Sequence, residues 1–389
     1  MVTEQLPWTV LVVLAAAVFT AITTEVLPVG LLPVIATGLH TSQSRVGLLV
    51  SAYAIVVALG SIPLTAFVAR WPRRNVLCAL LVMYALSNAV MASAGGYWVA
   101  FAARLLGGLA HAGFFSVVFA AAINVAPPGK QGRAVAFVGA GNAAALALGV
   151  PLGTAVGTAI GWRWAFAGCS ITMLVFAVLI ALVLPTTQPP PAHIAHLSLL
   201  TAARSRPLLI VAALVIVLTL GHYTPFTYLS PLLQNAGVNA ASVSPVLLGY
   251  GAAGILGLLL SAVIADRHPR RGLLATAALT ATCLLALGLA PHHIATITAV
   301  LAWGFAFGAL PTLIQAVALR ASPRAPDAGP AVVNASFNVG IAGGAFIGAR
   351  ELLITTPPAV ALTGATLTAA ALVLLLLTSV DHERRERPQ

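Results

Sequence analysis

The chain has 389 residues, of which 60% are hydrophobic and only 7% charged, with a formal net charge of +11. A soluble domain carries about 25% charged residues, so a water-exposed surface cannot be built from this mixture. In a soluble protein the excess of positive charge would point to nucleic acid; here the positions of the basic residues decide against that.

Apolar stretches long enough to span a bilayer, about 20 residues each, recur along the whole length. They predict twelve helices, over 8–34, 46–68, 76–94, 98–124, 134–157, 164–184, 207–231, 244–265, 273–290, 294–319, 331–354 and 358–380. The expected fold class is an all-α membrane protein. The first span contains AITTEVLPVGLLP (21–33), in which Glu25 is the only charged residue between Glu4 and Arg45. This stretch has no basic flank and no small-residue cleavage site, so no removable signal peptide is expected. Tyr53 lies in the second span. The fourth carries Arg104 and, seven residues on, His111; two helical turns put both on one face. The fifth contains Asn142 and the start of a run of glycines at 149, 153, 157 and 161, with Pro151 among them. Small residues at every fourth position let helix backbones approach closely.

The longest polar interruption, PTTQPPPAHIAHLSLLTAARSR (185–206), separates six spans from six. Its His193 and His196 have no third ligand nearby and read as linker residues rather than a metal site. The seventh span then presents His222, Tyr223, Thr224, Thr227 and Tyr228, the tenth Gln315, and the eleventh Asn334, Asn338 and glycines 340, 344 and 348. Glu351 beside Arg350 reads as a surface pair. Cys78, Cys169 and Cys283 sit in apolar spans at no metal-ligand spacing and read as small hydrophobes.

Of the 19 basic residues, 15 fall in alternate connections or at the C-terminal end, whereas the opposite side receives only Arg45, Arg163 and Arg350. The positive-inside rule makes the rich side cytoplasmic, with both termini inside. The charge therefore encodes topology, and no nucleic-acid partner is expected.

The halves repeat. ARWPRRNVL (69–77) returns 197 residues later as DRHPRRGLL (266–274), and Pro127 and Asn142 match Pro323 and Asn338 at a spacing of 196. At 197, Pro28 falls on Pro225 and Glu25 on His222. Parallel six-helix repeats of this kind are the layout of the major facilitator fold.

Five segments carry a closer likeness: TTEVLPVGLLP, RLLGGLAHAGFFS, GVPLGTAVGTAIGWRWAF, GHYTPFTYLSPLLQN and FNVGIAGGAFIG. On them the chain resembles a major facilitator superfamily transporter of the drug:proton antiporter branch, and is most similar to the bacterial sugar efflux transporters, whose close relatives export chloramphenicol-like drugs and nucleosides. The resemblance implies two six-helix bundles, 1–184 and 207–389, joined by a cytoplasmic linker at 185–206, in a bacterial inner membrane. Its substrate site is expected between the halves, bordered by helices 1, 4, 7 and 10. The superfamily's loop between helices 2 and 3 reads Asp-Arg-x-Gly-Arg-Arg; here Ala69 replaces the acid, while Arg73 and Arg74 remain. The second copy keeps Asp266 with Arg267, Arg270 and Arg271. The resemblance assigns Arg73, Arg74, Asp266, Arg270 and Arg271 to gating, with a weaker clamp in the first half.

An ionisable group inside a membrane span is by default a functional hypothesis. At 1.5 Å per residue Glu25 lies ~22 Å into its helix and Arg104 ~10 Å below the outer face, which brings the two to one level of a core ~30 Å thick. Glu25 is expected to carry a proton, Arg104 to tune it, and His111 to relay the proton or contact solute. Glu25, Tyr53, His111, Asn142, His222, Tyr223, Tyr228, Gln315 and Asn338 form the expected substrate-binding set, which suits a neutral polar or amphiphilic solute such as a sugar, glycoside or drug. His222, with no acid near it on its helix, is expected to act as a neutral imidazole. Paired carboxylates are absent from the spans and no Walker-type phosphate loop occurs. That leaves neither an enzyme nor ATP-driven transport. The expectation is a monomeric proton-coupled exporter using the proton gradient and no cofactor; the alternative is a facilitative uniporter or importer in which Glu25 only orients helix 1.

Overall fold

Lipid offers main-chain groups no hydrogen bonds, so a chain this apolar is carried through it as helix, which satisfies them within each segment. The computed structural model describes residues 6–68, 71–186, 205–289, 292–321 and 328–377, and twelve of its helical spans are long and apolar enough to cross a membrane. They fall into two units, Met1–His193 and Ile194–Gln389.

The first unit contains α1 (Trp8–Gly38), α2 (Gln43–Val68), α3 (Arg73–Ala92), α4 (Tyr97–Val125), α5 (Gln131–Ala144), a π turn (Ala145–Gly149), α6 (Val150–Ala159) and α7 (Trp162–Val183). The second contains α8 (Arg206–Phe226), α9 (Leu229–Asn235), α10 (Ala240–Arg267), α11 (Pro269–Leu289), α12 (His293–Ala321), α13 (Ala328–Glu351) and α14 (Pro357–Leu377). The same pairings recur in each: α2 on α4 and α10 on α12, α3 on α7 and α11 on α14, α1 on α5–α6 and α8 on α13. Both units are apolar inside and outside. Leu14, Leu81, Tyr84, Phe114 and Ile180 are buried in the first unit, while Leu59, Trp98 and Leu182 are 74%, 73% and 76% exposed. Such an exterior is stable against lipid tails, which are as apolar as leucine.

Three local features differ from the sequence expectation. The seventh span is not continuous: α8 ends at Phe226, and α9 begins at Leu229. Pro231 has no N–H to continue an α ladder, but it is tolerated in the first turn of a new helix, where donors have no intrahelical acceptor. The fifth span widens into the π turn, in which the Val150 N–H donates to Ala145 O, five residues back. Pro151 cannot donate to the carbonyl of Ala147, and i→i+5 pairing steps over that missing donor. Gly161 does not belong to the glycine stripe. It lies beyond α6 with φ 109°, a turn conformation that side chains with a Cβ rarely adopt.

The stripe proper draws α5 and α6 onto α1. A Cβ at Gly141 would collide with the main-chain oxygen of Ala15, and one at Gly149 with the side chains of Thr23 and Phe19. Because the obstacle at Gly141 is backbone, it cannot rotate away. Gly141→Leu is expected to cost about 1–3 kcal/mol or more by overpacking, read as a lower melting temperature in detergent; unchanged melting would refute the close approach.

One cation ties three helix ends together. Arg163, at the start of α7, donates through Nη2 to Ala94 O (2.8 Å) and Gly38 O (3.3 Å), and its guanidinium lies 4.4 Å from the Trp162 ring centroid. Those carbonyls lie at or just beyond the C-terminal ends of α1 and α3, where cations are favoured. Arg163→Gln is expected to lower stability by about 1.5–3 kcal/mol, the range for hydrogen bonds to a charged group, measured by thermal melting. Arg163→Lys, a compact charge in place of a fork, should fall between the two.

Candidate functional site

Pro28 shapes the first unit's site. A proline inside a helix leaves the carbonyl four residues back without its donor, and that carbonyl belongs to Thr24. Arg104 on α4 supplies the missing hydrogen bond: Nη1 donates to Thr24 O at 3.0 Å and Nη2 to Glu25 O at 2.9 Å. Its guanidinium carbon lies 4.2 Å from the centroid of the Tyr53 ring. Arg104 and Glu25 thus come to one level, but the fork hydrogen-bonds to the main chain of α1 and not to the carboxylate.

The carboxylate faces His111 instead, with Glu25 Oε2 3.7 Å from His111 Nδ1 and 12% and 9% of their side chains exposed. At that distance the two groups face each other without forming a hydrogen bond. The same Nδ1 is 2.9 Å from the Tyr53 hydroxyl, which is in turn 3.4 Å from the Tyr84 hydroxyl. The His111 ring also stacks on Phe115 with centroids 4.4 Å apart. Glu25, His111, Tyr53 and Tyr84 therefore form a line of proton-bearing atoms on four helices, α1, α4, α2 and α3. Close approach of α2 to α4 depends on Gly108, whose Cβ would meet the main-chain oxygen of Tyr53.

The second unit holds the repeat's counterpart, with different chemistry. Tyr250 stands 197 residues after Tyr53 and Phe307 196 after His111; Gly304, 196 after Gly108, likewise meets the main-chain oxygen of Tyr250. At that spacing Arg104 becomes Val300, which is fully buried. His222 lies between aromatic rings, stacked on Phe307 at 3.6 Å and on Phe226 at 4.9 Å. Its Nδ1 accepts from Trp303 Nε1 at 3.0 Å. Tyr250 closes the cluster against Phe226 and Trp303, with centroids 5.4 Å and 5.9 Å away.

The remaining predicted residues scatter. Tyr223 edges onto His222 at 4.9 Å. Tyr228 is fully buried and donates to Ala345 O at 2.9 Å, so the structure gives it the work of holding α13 rather than a solute-facing place. Asn338 is buried and donates to Asn334 O at 3.0 Å, whereas its repeat mate Asn142 is exposed. Gln315 is half-buried, and its Oε1 has no partner. Of the predicted gate, Arg73 donates to Ala120 O (2.7 Å) and Arg270 to Leu375 O (2.6 Å), each near the C-terminal end of a neighbouring helix. Arg74 is half-buried and Arg271 exposed. Ala69, Arg70, the Asp266 side chain, His193 and His196 lie outside the described residues, and the clamp's acid with them. Tyr84, Tyr250, Trp303 and Phe307 were not singled out from the sequence. The repeat spacing was the available signal: it points from Tyr53 to Tyr250 and from His111 to Phe307.

Three solved structures share the fold over nearly the whole chain. A bacterial homolog of the human lysosomal transporter Spinster, inward-facing and unoccupied, matches with TM-score 0.72 and 14% identity, covering 96% of both chains. The same transporter in its inward-facing, occupied conformation gives TM-score 0.74 and 14% identity over 95% of both. The human organic anion transporter MFSD10 gives TM-score 0.69 and 17% identity, over 95% of this chain and 100% of its own. The family model described as Major Facilitator Superfamily matches residues 13–349 and 226–389. Twelve membrane-length helices in two units of matching helix pairings, together with that match, make the chain a member of the Major Facilitator Superfamily, a family of secondary transporters of small solutes and not of enzymes.

Proposed function

We propose that the protein exports a small neutral polar or amphiphilic solute in exchange for protons, by alternating access, as a transporter of the drug:proton antiporter branch. The observation that carries this is the position of the Glu25 carboxylate, 3.7 Å from His111 Nδ1 inside an apolar unit. Two groups able to hold one proton at that separation can exchange it after a small helix movement, or through one water. From His111 the line continues through hydrogen bonds to Tyr53 and on to Tyr84.

The arrangement weighs against a uniporter in which Glu25 only orients α1. Main-chain bonds from Arg104 already hold that helix at Thr24 and Glu25, so its shape does not require the carboxylate. The solute is a sugar, glycoside or comparable neutral compound, and the protein is a monomer in a bacterial inner membrane with both termini cytoplasmic.

Proteoliposomes with an imposed pH gradient test the coupling. Solute flux against its own gradient, driven by opposing proton flow and abolished by a protonophore, is the expected result. Flux that only follows the solute gradient and ignores the protonophore would establish the uniporter.

A further inference from the structure

The exterior of the second unit has a groove whose chemistry suits neither a polar solute nor a proton. α10 and α11 each pack on α12 more extensively than on each other, which leaves a furrow between them with α12 as its floor. Its walls are Leu260, Ser261 and Ile264 on α10 and Gly272, Ala275 and Thr276 on α11. Leu260 and Ala275 are exposed at the rim, whereas Ser261 and Gly272 are buried. α10 lies this close to α12 because of Gly257, whose Cβ would collide with the main-chain oxygen of Phe305. The Ser261 hydroxyl already donates to Leu258 O at 2.7 Å, so it asks for no polar occupant.

The groove encloses about 110 Å³. An apolar cavity of roughly 150 Å³ takes up benzene, so this one has room for a few methylenes in a row and not for a sugar or a drug. Beside it on α10, Leu256, Leu259 and Val263 are 61%, 62% and 67% exposed, a surface suited to hydrocarbon tails. The repeat supplies the reason for the opening. Ser261 stands 197 residues after Leu64, and Ile264 the same distance after Phe67. Leu64 packs against the core of the first unit, its Cδ2 3.0 Å from where a Cβ on Gly113 would sit. With serine at that position, the second unit leaves the corresponding volume open.

One end of the groove is basic. The segment IADRHPRRGLL (264–274) has three arginines against one acid. Arg270 turns in to Leu375 O, whereas Arg267 and Arg271 are exposed. Ile264 precedes Arg267 by three residues and Gly257 precedes it by ten. At 1.5 Å per residue the groove opens ~5 Å from that charge and runs a further ~10 Å along α10. A phospholipid has the same layout, a phosphate at the interface and a chain descending from it. We propose that the groove between α10 and α11 binds an anionic phospholipid of the surrounding bilayer, with an acyl chain in the groove and the phosphate at Arg267 and Arg271. Basic pockets between membrane helices hold such headgroups. The tail alone gains little, because the groove is no more apolar than the lipid it leaves, so the arginines set the selectivity. The site requires these helices to lie in lipid and is independent of the solute and of proton coupling.

Native mass spectrometry of the full-length protein, delipidated in detergent, tests this with dioleoyl phosphatidylglycerol and with dioleoyl phosphatidylcholine, which has the same chains and no net charge. The native protein is expected to retain phosphatidylglycerol with a Kd roughly tenfold lower or better, the scale of two basic residues beside an anionic headgroup. Arg267→Gln together with Arg271→Gln should erase that preference. Ser261→Leu, which copies the first unit, fills the groove from within and changes no charge. Without lipid it should melt at or above the native temperature, because it closes a cavity, yet raise the Kd for phosphatidylglycerol roughly tenfold by overpacking against the chain. Ala275→Phe blocks the rim and should weaken retention likewise, whereas Val263→Phe, on the exposed face outside the groove, should not. Unchanged affinity in both Ser261→Leu and Ala275→Phe would reduce the effect to diffuse surface attraction and overturn the groove. Equal retention of the two lipids by the native protein would overturn the anionic headgroup. A native dimer that the groove substitutions split, with no lipid retained, would make the groove a contact between copies of the chain and overturn the lipid.

Discussion

Glu25→Gln is expected to abolish gradient-driven export while leaving the protein folded and able to exchange labelled for unlabelled solute. Glutamine keeps the shape and removes the titration, so every step that needs a proton to arrive or leave at this position stops. The carboxylate faces His111 Nδ1 at 3.7 Å, and α1 is held there by hydrogen bonds from Arg104 to its main-chain oxygens. Removing a charge from apolar surroundings relieves a desolvation cost, so the variant should melt no lower than the native protein. Uphill transport at the native rate in proteoliposomes would end the assignment of Glu25 as the proton carrier. Loss of exchange together with gradient-driven export would move Glu25 into the solute site instead.

The second large effect belongs to Arg104. Its side chain supplies the donor that Pro28 denies to Thr24 O and bonds Glu25 O as well. Truncating it leaves two buried carbonyl acceptors unpaired, at a cost of about 1–3 kcal/mol each. Arg104→Gln is accordingly expected to give little folded protein, and Arg104→Lys, with one compact head for two carbonyls, an intermediate melting temperature. The diagnostic variant is the double substitution. Pro28→Ala restores an N–H to the helix at the position that pairs with Thr24 O, so in the Arg104→Gln background it should recover part of the lost stability. If Pro28→Ala adds a further loss instead, Arg104 is needed for something other than the orphaned carbonyl.

Much of the site was legible one residue at a time. A single acid in an apolar run marks Glu25, and helical spacing places His111 two turns from Arg104 on one face. The repeat aligns Glu25 with His222 and Tyr53 with Tyr250. The partners were not legible. Arg104 and Glu25 at one level read as a tuning pair; the guanidinium's charge acts on the carboxylate from nearby, while its hydrogen bonds go to main-chain oxygens. Tyr228 read as a solute contact, yet it donates to Ala345 O and is fully buried.

By itself the sequence determined the membrane class, twelve helices and two repeated halves, because hydropathy over about 20 residues and the positions of basic residues are local or additive properties. It also brought Glu25 and Arg104 to one level, since the rise per residue of a helix is constant. Only the tertiary structure decided which groups meet. The rotation of each helix about its axis follows from packing against its neighbours, here from glycines that let α5 reach α1 and α4 reach α2. That rotation chose His111 over Arg104 as the near neighbour of the Glu25 carboxylate, and turned Nδ1 of His222 toward Trp303. The π turn and the break after Phe226 were settled at the same level, where each proline's missing donor is accommodated by whichever change in helix geometry the surrounding packing permits.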